Sequence, residues 1–142
     1  MRMKYSKLNR TDAVPTFMPG TIKPICILDD DSSVLNSLQQ LLESDGFEAR
    51  TFDDPDKFLA HAQQHRIKLA VLDVWMPEAN GIEVQERLRE LSPNTGIIVI
   101  TGREEAAIRA AALAGGAFAF LVKPFDDEAF LALVRHALRE AA

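Results

Sequence analysis

The sequence ICILDDD, residues 25–31, joins an apolar run to three consecutive acids without a break. A short apolar run rich in β-branched residues is typical of a strand buried in a parallel sheet. Three later apolar runs also end in a polar residue: Asp73 after residues 69–72, Thr101 after 97–100 and Lys123 after 117–122. We therefore predict a buried sheet whose strands end in polar side chains.

Patterns typical of helices separate these runs. Residues 34–42 carry apolar side chains at helical spacing, and Ser32 or Ser33 is predicted to cap the start of that helix. Asp54 before Pro55 predicts a second helix with proline in its first turn. Further helices are predicted at residues 82–91, 104–113 and 126–139, a weak strand at 47–52 and a loop at 75–80. Strands alternating with helices imply a parallel sheet covered on both faces, with right-handed crossovers.

Composition limits the class of protein. The chain has 142 residues, 47% of them hydrophobic and 26% charged, which is one domain's worth of sequence with a buried core. Its net charge of −5 argues against nucleic acid as a direct partner, since phosphate backbones select basic surfaces. A single cysteine, Cys26, excludes a disulfide framework. No membrane span or secretory signal is evident, so we predict a cytoplasmic location, with residues 1–24 as a flexible N-terminal tail.

The polar residues at the strand ends indicate phosphoryl chemistry. The carboxyl ends of parallel strands share one edge of a sheet, so Asp29–Asp31 (DDD), Asp73, Thr101 and Lys123 are predicted to converge there. This set holds no histidine or cysteine, which excludes a serine–histidine triad and a zinc cluster. Converging carboxylates must either take up protons or recruit a cation, and all-oxygen ligands favour a hard ion, Mg²⁺ or Mn²⁺. The amine and the hydroxyl suit phosphoryl oxygens, and one carboxylate is left to act as the nucleophile.

Five motifs in this order carry a family resemblance: Ile-Leu-Asp29-Asp30-Asp31, Val71-Leu-Asp73-Val-Trp-Met76-Pro77 with Gly81, Val-Ile-Thr101-Gly102, Ala114-Gly-Gly-Ala117 and Phe120-Leu-Val-Lys123-Pro124-Phe125. Over residues 25–140 the sequence resembles the receiver domain of two-component response regulators. It is most similar to receivers that control transcription factors with a C-terminal helix-turn-helix. The resemblance implies a flavodoxin-like (CheY-like) fold over residues 25–142. That fold is a doubly wound, five-stranded parallel sheet of order 2-1-3-4-5 with helices on both faces.

The resemblance also implies a phosphoacceptor and a metal site. Asp73 would accept a phosphoryl group from a phosphohistidine of a sensor histidine kinase or phosphotransfer protein. Asp30, Asp73 and the backbone carbonyl of Trp75 would bind Mg²⁺ (or Mn²⁺), with Asp29 in the outer coordination shell. A tryptophan is unusual at its position in this family. We hypothesise that Trp75 covers the pocket and slows both phosphate entry and hydrolysis.

A conformational switch is implied as well. Thr101 and Lys123 would contact the phosphoryl oxygens, and the Lys123–Pro124 peptide bond would be cis. Phe120 occupies the aromatic switch position, expected to turn inward as Thr101 moves towards the phosphate. Phosphorylation would then change the helix 4–strand 5 face, which alanines such as Ala119 make unusually apolar. We predict a phosphoacceptor signalling module rather than an enzyme, with a homodimer or a target contact through that face.

Two alternatives remain open at the level of sequence. In a phosphatase of the haloacid-dehalogenase type, Asp29 would be the nucleophile and Asp31 the general acid, with Asp126-Asp127 as a further motif. That interpretation leaves Asp73 without a role and places Asp126 at a helix start. The other alternative is a degenerate receiver that signals by binding alone.

Overall fold

The computed structural model describes residues 25–140, in which strands and helices alternate. The strands are β1 (Ile25–Leu28), β2 (Ala49–Phe52), β3 (Leu69–Asp73), β4 (Trp75–Met76), β5 (Ala79–Asn80), β6 (Gly96–Thr101) and β7 (Ala119–Val122). The helices are α1 (Ser32–Ser44), α2 (Pro55–Gln64), α3 (Gly81–Leu91), α4 (Ala106–Ala114) and α5 (Asp127–Glu140). The predicted tail at residues 1–24 lies outside the described residues.

Five of the strands form one parallel sheet of order β2-β1-β3-β6-β7. This confirms the predicted order 2-1-3-4-5, because β6 and β7 are the fourth and fifth strands of the sheet. The prediction of a loop at residues 75–80 is wrong, because β4 and β5 form a short antiparallel hairpin there. Strands of two residues are too short to show a period in the sequence, which explains why they were not predicted.

Alternate residues of the central strands supply two cores, one on each face of the sheet. On one face Ile25 and Ile27 pack with α1 and α5, and on the other Cys26 and Leu28 pack with α2, α3 and α4. All four of these side chains are fully buried. The prediction of helices on both faces is therefore confirmed, and burial from both sides explains why the strands are continuously apolar.

Short polar side chains begin the first three helices. The N-cap of α1 is Asp31, whose Oδ1 accepts a hydrogen bond from the Ser33 N–H at 2.9 Å. The prediction that Ser32 or Ser33 caps this helix is therefore wrong. Asp31 has extended backbone and the serines lie inside the helix, so the acid alone has the conformation of a cap. Asp54 caps α2 as predicted.

Helix α4 is attached mainly at its C-terminal end. The buried Gln85 donates from Nε2 to the carbonyl of Ala112 at 2.9 Å, and Arg89 donates to the carbonyl of Gly115. At the other end the N-cap residue, Glu105, makes no side-chain capping bond. The helix starts two residues later than the predicted position 104. Only Ala112 among its residues is buried.

None of the helices in residues 25–140 has both the length and the apolar character needed to cross a bilayer.

Candidate functional site

A polar cavity of about 370 Å³ opens at the carboxyl edge of the sheet. Its lining combines acids, cations and one large aromatic side chain: Asp29, Asp30, Asp31, Asp73, Trp75, Gly102, Arg103 and Lys123. Residues that follow β1, β3, β6 and β7 contribute, as expected for parallel strands that end at one edge. The structure thus brings together residues from positions 29 to 123 of the chain.

Lys123 joins the two buried acids of the cavity. Its Nζ lies 3.2 Å from Oδ2 of Asp29 and 3.3 Å from Oδ1 of Asp73. Both acids are almost fully buried, with exposed fractions of 0% and 3%. A buried carboxylate needs a charged or hydrogen-bonding partner, and one ammonium serves both.

Asp30 completes a group of three acids. Ligand oxygens of Asp29, Asp30 and Asp73 lie within 4.8 Å of one another, and Asp30 is exposed to solvent. All-oxygen donors around a solvent-accessible position match the preference of hard divalent cations, which keep several waters as ligands. The residues present therefore fit Mg²⁺, and Mn²⁺ fits on the same grounds.

Burial and mutual repulsion perturb the titration of these groups. Burial and the neighbouring charge of Asp29 raise the pKa of Asp73 to about 6, although Lys123 opposes that shift. Burial also raises the pKa of Asp29, against a hydrogen bond from the Asp31 backbone N–H and the charge of Lys123. Burial would lower the pKa of Lys123, but the charges of Asp73 and Asp29 outweigh it and raise that pKa. Two acids share one cation, so the metal-free site has an excess of negative charge.

The titration of Asp73 predicts a pH-dependent stability of the metal-free protein. Its folded pKa of about 6 exceeds the usual 3.8, so its contribution to the free energy of unfolding is complete below about pH 4. That contribution, about 3 kcal/mol, is lost as the pH rises through about 6. Urea unfolding with a chelator present, between about pH 4 and pH 7, measures it. Asp73→Asn is expected to show a smaller decline, because Asp29 is then the remaining cavity carboxyl whose pKa burial raises. Identical pH profiles for the two proteins would contradict the prediction.

Thr101 lies at the end of β6, beside the strand that carries Asp73. It is fully buried, and its Oγ1 accepts a hydrogen bond from the Arg103 N–H at 3.2 Å. Its carbonyl accepts from the Lys123 N–H at 2.7 Å, which ties the ends of β6 and β7 together. The peptide bond between Lys123 and Pro124 is cis. Thr101 is therefore adjacent to the cavity but not part of its lining.

Phe120 lies in the middle of β7 and is buried, with 7% of its surface exposed. The guanidinium of Arg109 covers its ring at 4.8 Å and is held by both carboxylate oxygens of Glu104 at 3.1 Å. The aromatic ring is thus inside, under a side chain of α4. Its switch role remains a prediction.

The sequence did not predict the contact between Trp75 and Arg103. The guanidinium carbon of Arg103 lies 4.8 Å from the centre of the Trp75 ring, a distance typical of a cation–π contact. The tryptophan is 40% exposed although it is large and apolar. The signal was weak because the two residues are distant in the chain and share no motif. A role of the Trp75 carbonyl in metal binding remains a prediction.

Gly81 lets the hairpin β4–β5 fold back onto the strand that carries Asp73. A Cβ atom at this position would lie 2.1 Å from the carbonyl oxygen of Asp73. The Gly81 N–H also donates to the Val74 carbonyl at 2.8 Å, and the Asn80 side chain caps α3 through the Ile82 N–H. A glycine is required here because backbone meets backbone.

The acids needed by the phosphatase alternative have other partners. Asp31 caps α1, and Asp126 accepts a hydrogen bond from the Ala129 N–H at 2.9 Å at the start of α5. Both acids are thus engaged at the starts of helices. Asp73, which the phosphatase would not use, instead lies at the centre of the site, paired with Lys123.

The doubly wound parallel sheet, with acid and lysine side chains at its carboxyl edge, defines a flavodoxin-like α/β domain. Within that class, the chain belongs to the response regulator receiver domain family, whose family model matches residues 25–135. The family resemblance deduced from the sequence is therefore confirmed. As a member of this family, the domain is a signalling module.

Proteins of similar sequence and similar structure support this family assignment. The chain is 38% identical over 117 residues to the response regulator protein TodT of Pseudomonas putida, covering 82% of this chain and 52% of TodT. A CheY-like response regulator receiver domain protein from Methanospirillum hungatei superposes with a TM-score of 0.81. Its identity is 30%, over 84% of this chain and 96% of that one. The structure of the beryllofluoride-activated NtrC4 receiver domain dimer also superposes with a TM-score of 0.81. Its sequence identity is 33%, and the match covers 85% of this chain and 100% of that one. The chain spans about half the length of the curated relatives it matches.

Proposed function

We propose that this domain receives a phosphoryl group on Asp73 from a phosphohistidine of a partner histidine kinase or phosphotransfer protein. It then passes the signal on by a change of conformation at α4 and β7. The observation that carries the proposal is the Asp73 carboxylate, which lies 3.3 Å from Lys123 and within a cluster of three acids at the cavity. A nucleophile, an acid cluster and a single ammonium are the groups that phosphoryl transfer to aspartate requires.

The transfer exchanges one bond for another. An Oδ of Asp73 bonds to phosphorus, and the bond from phosphorus to the donor imidazole nitrogen breaks. The electron pair stays on that nitrogen, which takes up a proton. Lys123 is positioned to interact with a phosphoryl oxygen, because its ammonium already lies against the carboxylate that attacks.

A Mg²⁺ ion (or Mn²⁺) is proposed as the cofactor, held by Asp30 and Asp73 with Asp29 behind them. When bound, it supplies positive charge that neutralises the phosphoryl oxygens. The cavity is lined by four aspartates against one lysine and one arginine, so it is anionic, and an incoming phosphoryl group would be repelled without a further cation. The Asp29–Lys123 pair orients the lysine for Asp73.

The conformational change is proposed to start at Thr101 and end at Phe120. Among the described residues, the Thr101 hydroxyl accepts a single hydrogen bond, at the long distance of 3.2 Å. It is therefore available to a phosphoryl oxygen. Phe120 lies on the next strand, under Arg109 of α4. Movement of the hydroxyl would alter the packing beneath α4, which is attached mainly at its far end.

Phosphoryl labelling tests the proposal. The protein is incubated with acetyl phosphate, with Mg²⁺ or with a chelator, and the modified residue is then identified by borohydride reduction and mass spectrometry. We expect label on Asp73 only with the metal. Label on Asp29 would support the phosphatase alternative, and no label with either a small donor or a phosphohistidine donor would support a degenerate receiver.

The exposed face of α4 is proposed to bind a second copy of the domain. Leu113 is 46% exposed, and the alanines around it leave an apolar surface without a partner among residues 25–140. The activated NtrC4 receiver, which this chain resembles, is a dimer. Leu113→Glu is expected to weaken self-association of the beryllofluoride-treated protein at least about 10-fold by sedimentation, since a charge replaces the apolar contact. Equal association of the two proteins would count against this interface.

A further inference from the structure

We propose that Trp75 and Arg103 form a paired lid across the mouth of the acidic cavity, called here the Trp75–Arg103 lid, and that this lid prolongs the lifetime of the phosphoryl group. This inference rests on the proposed function and adds to it two residues that govern access. Both side chains line the cavity, and they contact each other at 4.8 Å. They belong to different loops, which follow β3 and β6.

Each residue of the lid follows one of the groups proposed to react. Trp75 is two residues beyond Asp73, and Arg103 is two residues beyond Thr101. Asp73 and Thr101 end β3 and β6, which are adjacent strands of the sheet. The contact therefore bridges the two loops between which the phosphoryl group of Asp73 would stand. A side chain from either loop alone would cover only one side of the opening.

Backbone contacts fix the base of the lid. Trp75 is paired with Asn80 in the β4–β5 hairpin, and the Val74 N–H donates to the Ile100 carbonyl at 3.0 Å. On the other loop the Arg103 N–H donates to Oγ1 of Thr101. The two side chains thus stand on anchored backbone, and opening requires only rotation about side-chain bonds.

Arg103 has no carboxylate within ion-pair distance in the described part of the chain, so the partner of its guanidinium there is the tryptophan ring. A cation–π contact at an exposed site favours the closed arrangement by about 2- to 5-fold. This is enough to slow a reaction that needs the open arrangement, and weak enough to let a protein donor displace the lid.

Hydrolysis is the reaction that the lid would slow. A water oxygen bonds to phosphorus on the side opposite Asp73, and the bond from phosphorus to the Asp73 carboxylate oxygen breaks. The electron pair returns to the carboxylate, and the proton of the water leaves with inorganic phosphate or with solvent. The attacking water must enter from the open side of the cavity, and Trp75 and Arg103 are both among the residues that line this cavity.

Lifetimes of the phosphorylated protein test the lid. The protein is labelled with acetyl phosphate and Mg²⁺, the donor is removed, and loss of label is followed in wild type, Trp75→Ala, Arg103→Ala and the double variant. Each single variant is expected to lose label about 2- to 5-fold faster. The double variant should be no faster than the faster single variant, because the two residues act as one unit. Arg87→Ala, which removes the same charge from the exposed face of α3, is the matched control.

A second measurement needs no phosphoryl group. Trp75 is the only tryptophan of the chain, so its fluorescence reports the lid alone. Arg103→Ala is expected to increase quenching by acrylamide, and Arg103→Lys to restore part of the protection. Wild type that takes label, with lifetimes unchanged in the variants, would overturn the lid and leave the proposed function intact. Wild type that takes no label would overturn the proposed function and the lid's role in it, whatever the quenching shows.

Discussion

Asp73→Asn is expected to abolish phosphoryl labelling, with a loss of at least about 100-fold against wild type. An amide oxygen is a poor nucleophile, whereas the carboxylate of Asp73 lies within 3.3 Å of the ammonium that would receive the transferred group. The substitution keeps the size and shape of the side chain and removes a buried charge that burial already disfavours. The variant should therefore fold, and circular dichroism with urea unfolding checks that it does.

Asp29→Asn is the matched control for this prediction. Asp29 is equally buried and contacts the same lysine at 3.2 Å, so the change removes one carboxylate from the same cluster. If Asp29 only orients Lys123 and supports the cation, labelling should slow about 10-fold and still occur on Asp73. Retention of label in Asp73→Asn together with its loss in Asp29→Asn would reverse the assignment and support the phosphatase alternative.

Gly81→Ala is expected to destabilise the domain by about 3 kcal/mol or more. The new Cβ would lie 2.1 Å from the carbonyl oxygen of Asp73, and neither atom belongs to a flexible side chain that can rotate away. Relief requires α3 to move away from the end of β3, or Asp73 to shift. Urea unfolding measures the loss of stability. The labelling rate of the folded fraction should fall as well, since the phosphoacceptor is displaced.

Substitutions at two other glycines distinguish a steric clash from backbone strain as the cause of the lost stability. A Cβ atom at Gly102 would meet nothing within 4 Å and needs no unusual backbone, so Gly102→Ala should change the free energy of unfolding by less than about 0.5 kcal/mol. Gly46 has equally open surroundings but a φ of +88°, so Gly46→Ala should cost about 1 kcal/mol through backbone strain alone. Equal stability of Gly81→Ala and Gly102→Ala would contradict the proposed clash.

The fold and the position of the cavity were predictable because strand ends carry strong signals. Apolar runs such as residues 97–100 can be recognised locally, and the rule that parallel strands end at one edge places Asp73, Thr101 and Lys123 together without further information. The family resemblance added the strand order. That reasoning needed no distance, and the structure places Asp73 and Lys123 in the cavity lining, with Thr101 buried beside it.

The features that were not predicted depend on short elements and on contacts between side chains. The β4–β5 hairpin has too few residues for a period, and the choice of Asp31 over the serines as the cap of α1 depends on where the strand ends. The contact of Arg103 with Trp75 joins residues 28 positions apart that share no motif. Such pairings follow from loop geometry, which depends on the whole fold rather than on any local stretch of sequence.

The one-sided attachment of α4 has a mechanical consequence. Gln85 and Arg89 fasten its C-terminal end to α3, whereas its N-terminal end, which follows Arg103, lacks a capping side chain. A helix fixed only at its C-terminal end rotates about that end. A small displacement of the cavity residues that precede α4 would therefore move its N-terminal end the most. We expect the difference in amide exchange between the N-terminal half and the C-terminal end to be larger in α4 than in α3, whose N-terminus is capped by Asn80.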